Sequence, residues 1–300
     1  MYDLIVLGGG PAGLTATTYA LRKRLDVLMI TKDLGGKTNY RLQLPFVEKH
    51  LVINGEETVN RFVNEVEYLD FARQFDKVET VEKENGGFRV RTAGGKTHQA
   101  RAVIVATGAV GRLMDVPGER EFMMRGLCYS AVSYAPLFIE RDVCVIGDKK
   151  LALRSVAELA HIANKVTLVA PSHGDLDSPL GRKILDNAKV HVLENHRVEQ
   201  VLGDTHARKI IVSHNGDKKE LEADAFFVEL ALRPLSEPVA GLVPLDEMGR
   251  IKIDCNNQTG VEGIFAAGDV TDVFAEQVLI AVGEGAKAAL TAYEYLLERF

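Results

Sequence analysis

Leu4-Ile5-Val6-Leu7-Gly8-Gly9-Gly10-Pro11-Ala12-Gly13 is the stretch on which the fold turns. Four apolar residues in succession, with no polar alternation, are the pattern of a strand buried on both faces of a parallel sheet. The run breaks at three glycines, and a helix is expected from Gly13 to about Arg22. The next apolar run, Val27-Leu28-Met29-Ile30, completes strand, helix, strand, the first half of a nucleotide-binding fold. Within that setting Gly8-x-Gly10-x-x-Gly13, with Pro11 and Ala12 inside it, has a physical reading. The first glycine permits the turn, the second lets a pyrophosphate approach backbone, and the third allows close packing, while the helix N-terminus adds partial positive charge.

Outward from this turn, Ala102 to Ala106, Val143 to Ile146 and Val166 to Val169 read as further buried strands. A helical stretch from Leu151 to Ala163 separates the last two, so a second βαβ unit is nested in the chain. Charged alternating segments, Phe88-Arg89-Val90-Arg91 and Lys209-Ile210-Ile211-Val212, are flanked by Asn-Gly and Gly-Gly pairs and read as hairpins accompanying each unit. Pro117-Gly118 and the cluster Pro234, Pro238, Pro244 punctuate the chain where linkers are expected. The expected fold class is α/β, with two Rossmann-like βαβ dinucleotide-binding domains and accessory β-hairpins, the second domain inserted into the first. Residues 1–114 and 242–300 are assigned to the first domain and 118–239 to the inserted one.

Composition narrows the function. The 300 residues carry 36 Lys and Arg against 42 Asp and Glu, a formal charge of −6, with basic residues scattered in ones and twos. Neither a nucleic acid nor a membrane surface is expected as a partner, and no window approaches the roughly 18 apolar residues of a membrane span. Met1 is followed at once by the first apolar run, from which a cytoplasmic protein is expected. Cys128, Cys144 and Cys255 lie far apart, so there is no C-x-x-C, zinc spacing or disulfide framework. His173, His191 and His196 do not share metal-ligand spacing and are expected at the surface, and no metal site is expected.

Two more segments close strands in the manner of a cofactor site: Ala106-Thr107-Gly108, and Ile264-Phe265-Ala266-Ala267-Gly268-Asp269-Val270. A strand ending in Gly-Asp can aim a carboxylate at the ribitol or ribose hydroxyls of a flavin dinucleotide while the glycine admits its phosphates. Three such segments on one chain point to FAD. Downstream, Gln277-Val278-Leu279 opens a small-residue helix through Gly283 and Gly285 whose N-terminal amides can face a flavin ring. By itself this segment reads equally well as a plain amphipathic helix.

The order of glycine motif, Gly35-Gly36-Lys37, Ala106-Thr107-Gly108, Pro117-Gly118-Glu119, inserted βαβ, then Ala266-Ala267-Gly268-Asp269 with Gln277, resembles the low-molecular-weight thioredoxin reductases and their flavoprotein relatives, the pyridine nucleotide-disulfide oxidoreductases. The resemblance covers nearly the whole chain. It implies an FAD domain formed by both ends of the chain and an inserted pyridine-nucleotide domain, usually in a homodimer. The cofactor-binding residues it implies are Gly8, Gly10, Pro11, Ala12 and Gly13, then Gly35, Gly36 and Lys37, then Thr107 and Gly108, and finally Gly268, Asp269, Gln277 and Val278.

The chain departs from that family where its electrons enter and leave. Counting from Pro117-Gly118, the place of the family's C-A-T-C dithiol reads Ser130-Ala131-Val132-Ser133, and a serine hydroxyl forms no disulfide. Cys128 lies two positions upstream, either as a substitute thiol or as a small buried hydrophobe. Cys128, Ser130 and Ser133 are therefore the candidates at or near the reactive position. In the inserted domain, Gly147-Asp148-Lys149-Lys150-Leu151-Ala152 replaces a second G-x-G-x-x-A turn, with Lys149 where a pyrophosphate would touch backbone. Relatives follow the next strand with an arginine cluster for the 2′-phosphate of NADPH. Here Ala170-Pro171-Ser172-His173-Gly174-Asp175 has none, and Asp175 and Asp177 would repel the phosphate. Glu276 stands for the usual arginine beside Gln277, and Ala231 for a glycine.

The expectation is an FAD-dependent oxidoreductase or electron-transfer flavoprotein that does not use NADPH and is fed by a small redox protein such as ferredoxin. Two alternatives stand beside it. One is a non-catalytic FAD-binding regulatory or redox-sensing protein, with room for a second flavin or nucleotide in the vacated crevice. The other is a ferredoxin–NADP reductase of related fold, which should retain the second glycine turn.

Overall fold

The computed structural model describes residues 1–40, 42–46, 60, 62–64, 70–130 and 134–299. β1 (Tyr2–Leu7) leads into α1 (Pro11–Arg22) and β2 (Val27–Thr31), and the two strands pair in parallel with Leu4 opposite Val27 and Leu7 opposite Ile30. Leu4 to Leu7 are wholly buried, as an unbroken apolar run between helical layers requires. α1 begins at Pro11, two residues ahead of the expected start, because a proline with its φ already set and no N–H to satisfy suits the first helical position. β3 (Arg73–Phe75) joins β2 in parallel. β4 (Val78–Glu84), β5 (Gly87–Thr92) and β6 (Thr97–Val105) form an antiparallel meander. The long last strand changes company along its length. Thr97 to Ala100 pair with β5, while Ala102 to Val105, all wholly buried, pair in parallel with β1.

The chain then runs through β7 (Ala109–Gly111), α2 (Glu119–Phe122), β8 (Leu127–Cys128), β9 (Asp142–Ile146), α3 (Lys150–Ile162), β10 (Lys165–Ala170), α4 (Pro179–Leu185) and β11 (Val190–Glu194). β12 (Arg197–Gly203), β13 (Ala207–His214) and β14 (Asp217–Glu222) form an antiparallel sheet, and β15 (Ala225–Val228) returns to the parallel one, whose order is β11-β10-β9-β15-β8. β16 (Leu232–Pro234) pairs with β7. β17 (Ile264–Ala266) adds to β6 in parallel, and α5 (Val278–Leu297) ends the described chain. The α/β class, with parallel strands at the heart of the main sheet of each unit, matches the expectation from sequence. No helix among the described residues is long and apolar enough to cross a membrane.

The chain divides into two compact units. The first takes the described residues of Met1–Asn39, Ile53–Val110 and Arg233–Phe300, the second those of Tyr40–Val52 and Gly111–Leu232. The crossings fall between Val110 and Gly111 and between Leu232 and Arg233, inside the paired strands β7 and β16, whereas the sequence places them at 114–118 and 239–242. Prolines mark turns, and a crossing made through a strand ladder carries no such mark. The segment around Leu44 also joins the second unit. Leu44 is buried in the cluster that contains Phe138 and Phe227, and Phe46 meets Phe138 edge to face at 6.0 Å. Sequence periodicity gives no access to a contact at that separation.

In the first unit α1 packs along α5 on a seam of small residues that includes Ala281, Ala288, Ala289 and Ala292, all buried. At Gly285 the helices are in backbone contact, and a Cβ there would collide with the Ala12 carbonyl oxygen. Gly285→Ala is therefore expected to lower stability by about 1–3 kcal/mol, the usual cost of overpacking a closed contact. A drop in the denaturant midpoint with unchanged slope checks this, and an unchanged midpoint contradicts it.

Candidate functional site

The first unit's site is assembled around the turn between β1 and α1. Gly8 has φ +109°, and a Cβ there would strike the carbonyl of Ala106; one on Gly13 would strike the carbonyl of Gly8. Bare backbone therefore lets α1 start directly against the strand ends. Gly10 is the exception, because a Cβ on it would meet nothing within 4 Å. The residue that a pyrophosphate would approach faces open space. Gly10 also caps α1 and brings no side chain of its own to the first amides of the helix, the donors an anion would use.

Three other segments converge on this turn. The amide of Gly35 donates to the Gly9 carbonyl at 2.7 Å, and a Cβ on Gly36 would stand 3.2 Å from the Gly10 Cα. A Cβ on Gly268 would stand 3.0 Å from that of Ala12, and beside it Asp269 Oδ2 lies 2.5 Å from Lys37 Nζ. Thr107 donates its hydroxyl to the Leu235 carbonyl at 2.6 Å, and the Gly108 carbonyl accepts the Leu235 amide at 2.9 Å. Gln277 is exposed as the N-cap of α5, with Val278 as its first helical residue. The structure thus gathers Gly8 to Gly13, Gly35 to Lys37, Gly268 with Asp269, and Thr107, whose Cα would stand 3.0 Å from a Cβ on Gly8.

Sequence reasoning missed two carboxylates here. Asp33 follows β2 and accepts the Gly36 amide at 3.0 Å. Its signal was available, for an acidic residue about 20 positions past the glycine motif is the usual ribose partner in such folds. Glu284, on α5, accepts the Gly268 amide at 2.8 Å. Burial, with Asp269 and Asp272 adding repulsion, lifts its carboxyl above the ordinary range although the Gly268 amide and Lys287 oppose this. Nothing in the local sequence pairs Glu284 with a glycine 16 positions upstream, past the end of β17.

The second unit's turn is built differently. Gly147 has φ +151° and lies against the Glu229 carbonyl and Ala152, as the outer positions of a glycine turn should. Lys149, in the middle position, is the N-cap of α3 in extended conformation, and its side chain is 60% exposed. The α3 terminus has an occupant. Asp175 Oδ2 accepts the Lys150 amide at 2.9 Å, and Oδ1 lies 3.7 Å from Lys149 Nζ.

Cys128 and Ser130 belong to this second unit, while Ser133 lies outside the described residues. Cys128 sits on β8 opposite Phe227 and is wholly buried. Burial, and then the nearby Glu229, push its thiol far above the ordinary range, so it holds no thiolate at neutral pH. Cys128 is accordingly a packed side chain of the core cluster around Phe138. Ser130 is half-buried. Of the three histidines, His196 is half-buried rather than exposed, stacked on His214 with ring centroids 5.0 Å apart.

His173 is exposed between two carboxylates, with Nδ1 2.9 Å from Glu194 Oε1 and Nε2 2.9 Å from Asp177 Oδ2. The hydrogen bond to Glu194, then that to Asp177, hold its pKa above the ordinary histidine value. The folded chain therefore binds this proton more tightly than the unfolded chain does. The resulting stabilisation is fully present below about pH 6.5, the unfolded value, and is lost as pH rises through the folded one. Proton NMR titration of His173 is expected to give a value above that of a free histidine, and His173→Gln to flatten the fall in thermal midpoint across that window.

Comparison with known proteins agrees with this geometry. The family model of the pyridine nucleotide-disulphide oxidoreductases matches residues 2–285. The F component of the alkyl hydroperoxide reductase of Staphylococcus aureus is 32% identical over 303 residues, covering 99% of this chain and 59% of that protein. The chain thus spans about three fifths of the length of this relative. The crystal structure of thioredoxin reductase from Streptococcus pyogenes is 29% identical with a TM-score of 0.88, covering 100% of this chain and 99% of that one. Thioredoxin reductase from Giardia duodenalis is 26% identical with the same TM-score, covering 99% of each chain. The fold is that of a thioredoxin reductase-like flavoprotein oxidoreductase, and the chain belongs to the pyridine nucleotide-disulphide oxidoreductase family.

Proposed function

We propose that this chain is an FAD-dependent oxidoreductase that receives electrons from a small redox protein of the ferredoxin kind and uses neither NADPH nor a C-x-x-C dithiol. The family implies FAD, and the first turn fits it. The open Gly10 and the uncapped start of α1 at Pro11 and Ala12 would take the pyrophosphate, with Gly8 and Gly13 keeping the turn tight. Gly35, Gly36 and Lys37 would flank the adenosine side. Asp269, beside Gly268, would accept from ribitol hydroxyls, with Thr107 and Gly108 closing the strand ends. Gln277 and Val278 would lie toward the flavin ring. FAD, when bound, exchanges electrons one at a time, which matches an iron-sulfur donor.

The observation that carries this reading is the contrast between the two middle positions. Gly10 faces open space, while Lys149 puts a charged side chain where a second pyrophosphate would meet backbone. The dithiol is missing from the sequence, where the three cysteines stand far apart. The ferredoxin–NADP reductase alternative is disfavoured on the same ground, since it should keep the second glycine. The burial of Cys128 favours a second reading, in which FAD is held without turnover as a structural or sensing ligand. The homodimer implied by the resemblance is carried into this proposal.

Mixing the oxidised protein anaerobically with reduced ferredoxin is expected to bleach the flavin absorbance within the mixing experiment, while NADPH leaves it unchanged. Persistent yellow colour with ferredoxin supports the non-catalytic reading, and rapid bleaching by NADPH overturns the proposal. One flavin per chain is expected in the same preparation, and two would place a further flavin in the second unit. Asp269→Ala removes a charged hydrogen-bond acceptor, an effect of about 1.5–3 kcal/mol, and is expected to weaken FAD retention by about tenfold or more, read as the flavin-to-protein ratio after dialysis.

A further inference from the structure

We infer that Asp175 is a built-in anion that determines the second unit's specificity: its carboxylate takes the position at the start of α3 that a dinucleotide pyrophosphate would need. The inference rests on the NADPH-independent reading and supplies its cause. α3 (Lys150–Ile162) is a 13-residue helix starting from a parallel strand through a glycine turn, the arrangement whose first amides and dipole draw a phosphate in folds of this kind. Here Asp175 draws on the same donors, accepting the Lys150 amide at 2.9 Å with Lys149 Nζ 3.7 Å from its other oxygen.

The carboxylate is fixed there by the loop that carries it. The Asp175 amide donates to the Asp148 carbonyl at 2.8 Å, and Ser172 donates its hydroxyl to Asp148 Oδ2 at 2.6 Å. Gly174 has φ +53°, and a Cβ on it would collide with the Asp148 carbonyl, so only glycine lets the loop lie this close to the turn. His173 ties the loop to Glu194 on β11. A phosphate would have to displace a carboxylate that is tethered beside its own site, an intramolecular competitor that is never diluted away. Asp148, Asp177 and Glu194 line the same loop and oppose an anion, against Lys149, Lys150 and His173. Asp177, Lys149, Lys150 and His173 are exposed and screened, and Asp148 and Glu194 half-buried, whereas the hydrogen bond of Asp175 occupies the donor itself. Position therefore matters more than net charge.

The test uses the flavin-loaded protein titrated calorimetrically with inorganic pyrophosphate and with NADP⁺, comparing wild type with Asp175→Ala, Asp175→Asn and Asp177→Ala. Asp175→Ala is expected to bind both probes about tenfold or more tightly than wild type. Asp177→Ala removes the same charge without freeing an α3 amide and is expected to change binding less than about twofold. Asp175→Asn keeps the shape of the cap and covers the case in which the alanine variant does not fold, with a gain of about threefold expected. No gain in either Asp175 variant, or equal gains in Asp175→Ala and Asp177→Ala, overturns the inference while leaving the proposed function standing. Tight NADP⁺ binding by wild type, with flavin reduction by NADPH, overturns both.

Discussion

The contact on which the first unit depends is the one between Gly13 and the Gly8 carbonyl. It fixes how closely α1 begins against the end of β1, and the other parts of the candidate site meet that turn or the first residues of α1. The Ala12 carbonyl is where Gly285 lets α5 approach, and the Ala12 Cβ is what Gly268 lies against. Gly36 meets the same turn at Gly10, and through Lys37 it brings a cation to Asp269. Four segments far apart in sequence thus share one turn, because side chains at its closest points have been reduced to nothing. A dinucleotide site of this kind is made first by steric permission and only then by hydrogen-bond donors.

The two glycine turns of the chain solve one electrostatic problem in opposite ways. A helix that starts at the end of a parallel strand presents unpaired amides and the positive end of its dipole, worth about 0.3–1 kcal/mol toward a nearby anion at an exposed site. α1 has no side-chain cap and opens toward space at Gly10. At α3 the demand is met from within, by Asp175. There a carboxylate of the chain itself accepts from one of the helix's first amides.

Much of this was legible in sequence, and what was not has physical causes. The unbroken apolar runs gave the parallel strands, since burial on both faces leaves no alternation to mistake for something else. Gly8, Gly10 and Gly13 were readable as a site because spacing and context occur together in a short stretch. The loss of the dithiol and of the second middle glycine was equally plain, both being matters of residue identity. By contrast, Asp175 was legible only as a repelling charge. Its role as a cap depends on Gly174 bending the loop onto Asp148, a contact between segments that neither periodicity nor motif spacing describes. The same holds for Glu284 at Gly268 and for Leu44 and Phe46 beside Phe138. The crossings between units lay hidden in β7 and β16, whose backbone pairing needs no particular side chains.

The form of the second unit does not rest on the residues at its glycine turn, because its stability lies elsewhere. Val143, Val145, Val166, Leu168, Ala225 and Phe227 are buried among α3 and its neighbours, and burying side chains of this kind contributes about 1.5–3 kcal/mol each for the larger ones. None of these residues belongs to the turn at 147–150 or to the loop at 171–178. Substitution at the strand ends therefore costs the sheet little, and the ends are where ligands meet folds of this class. Core and site are separable within one unit: the five parallel strands rest on their packing, while Lys149 and Asp175 stand at the helix start outside it.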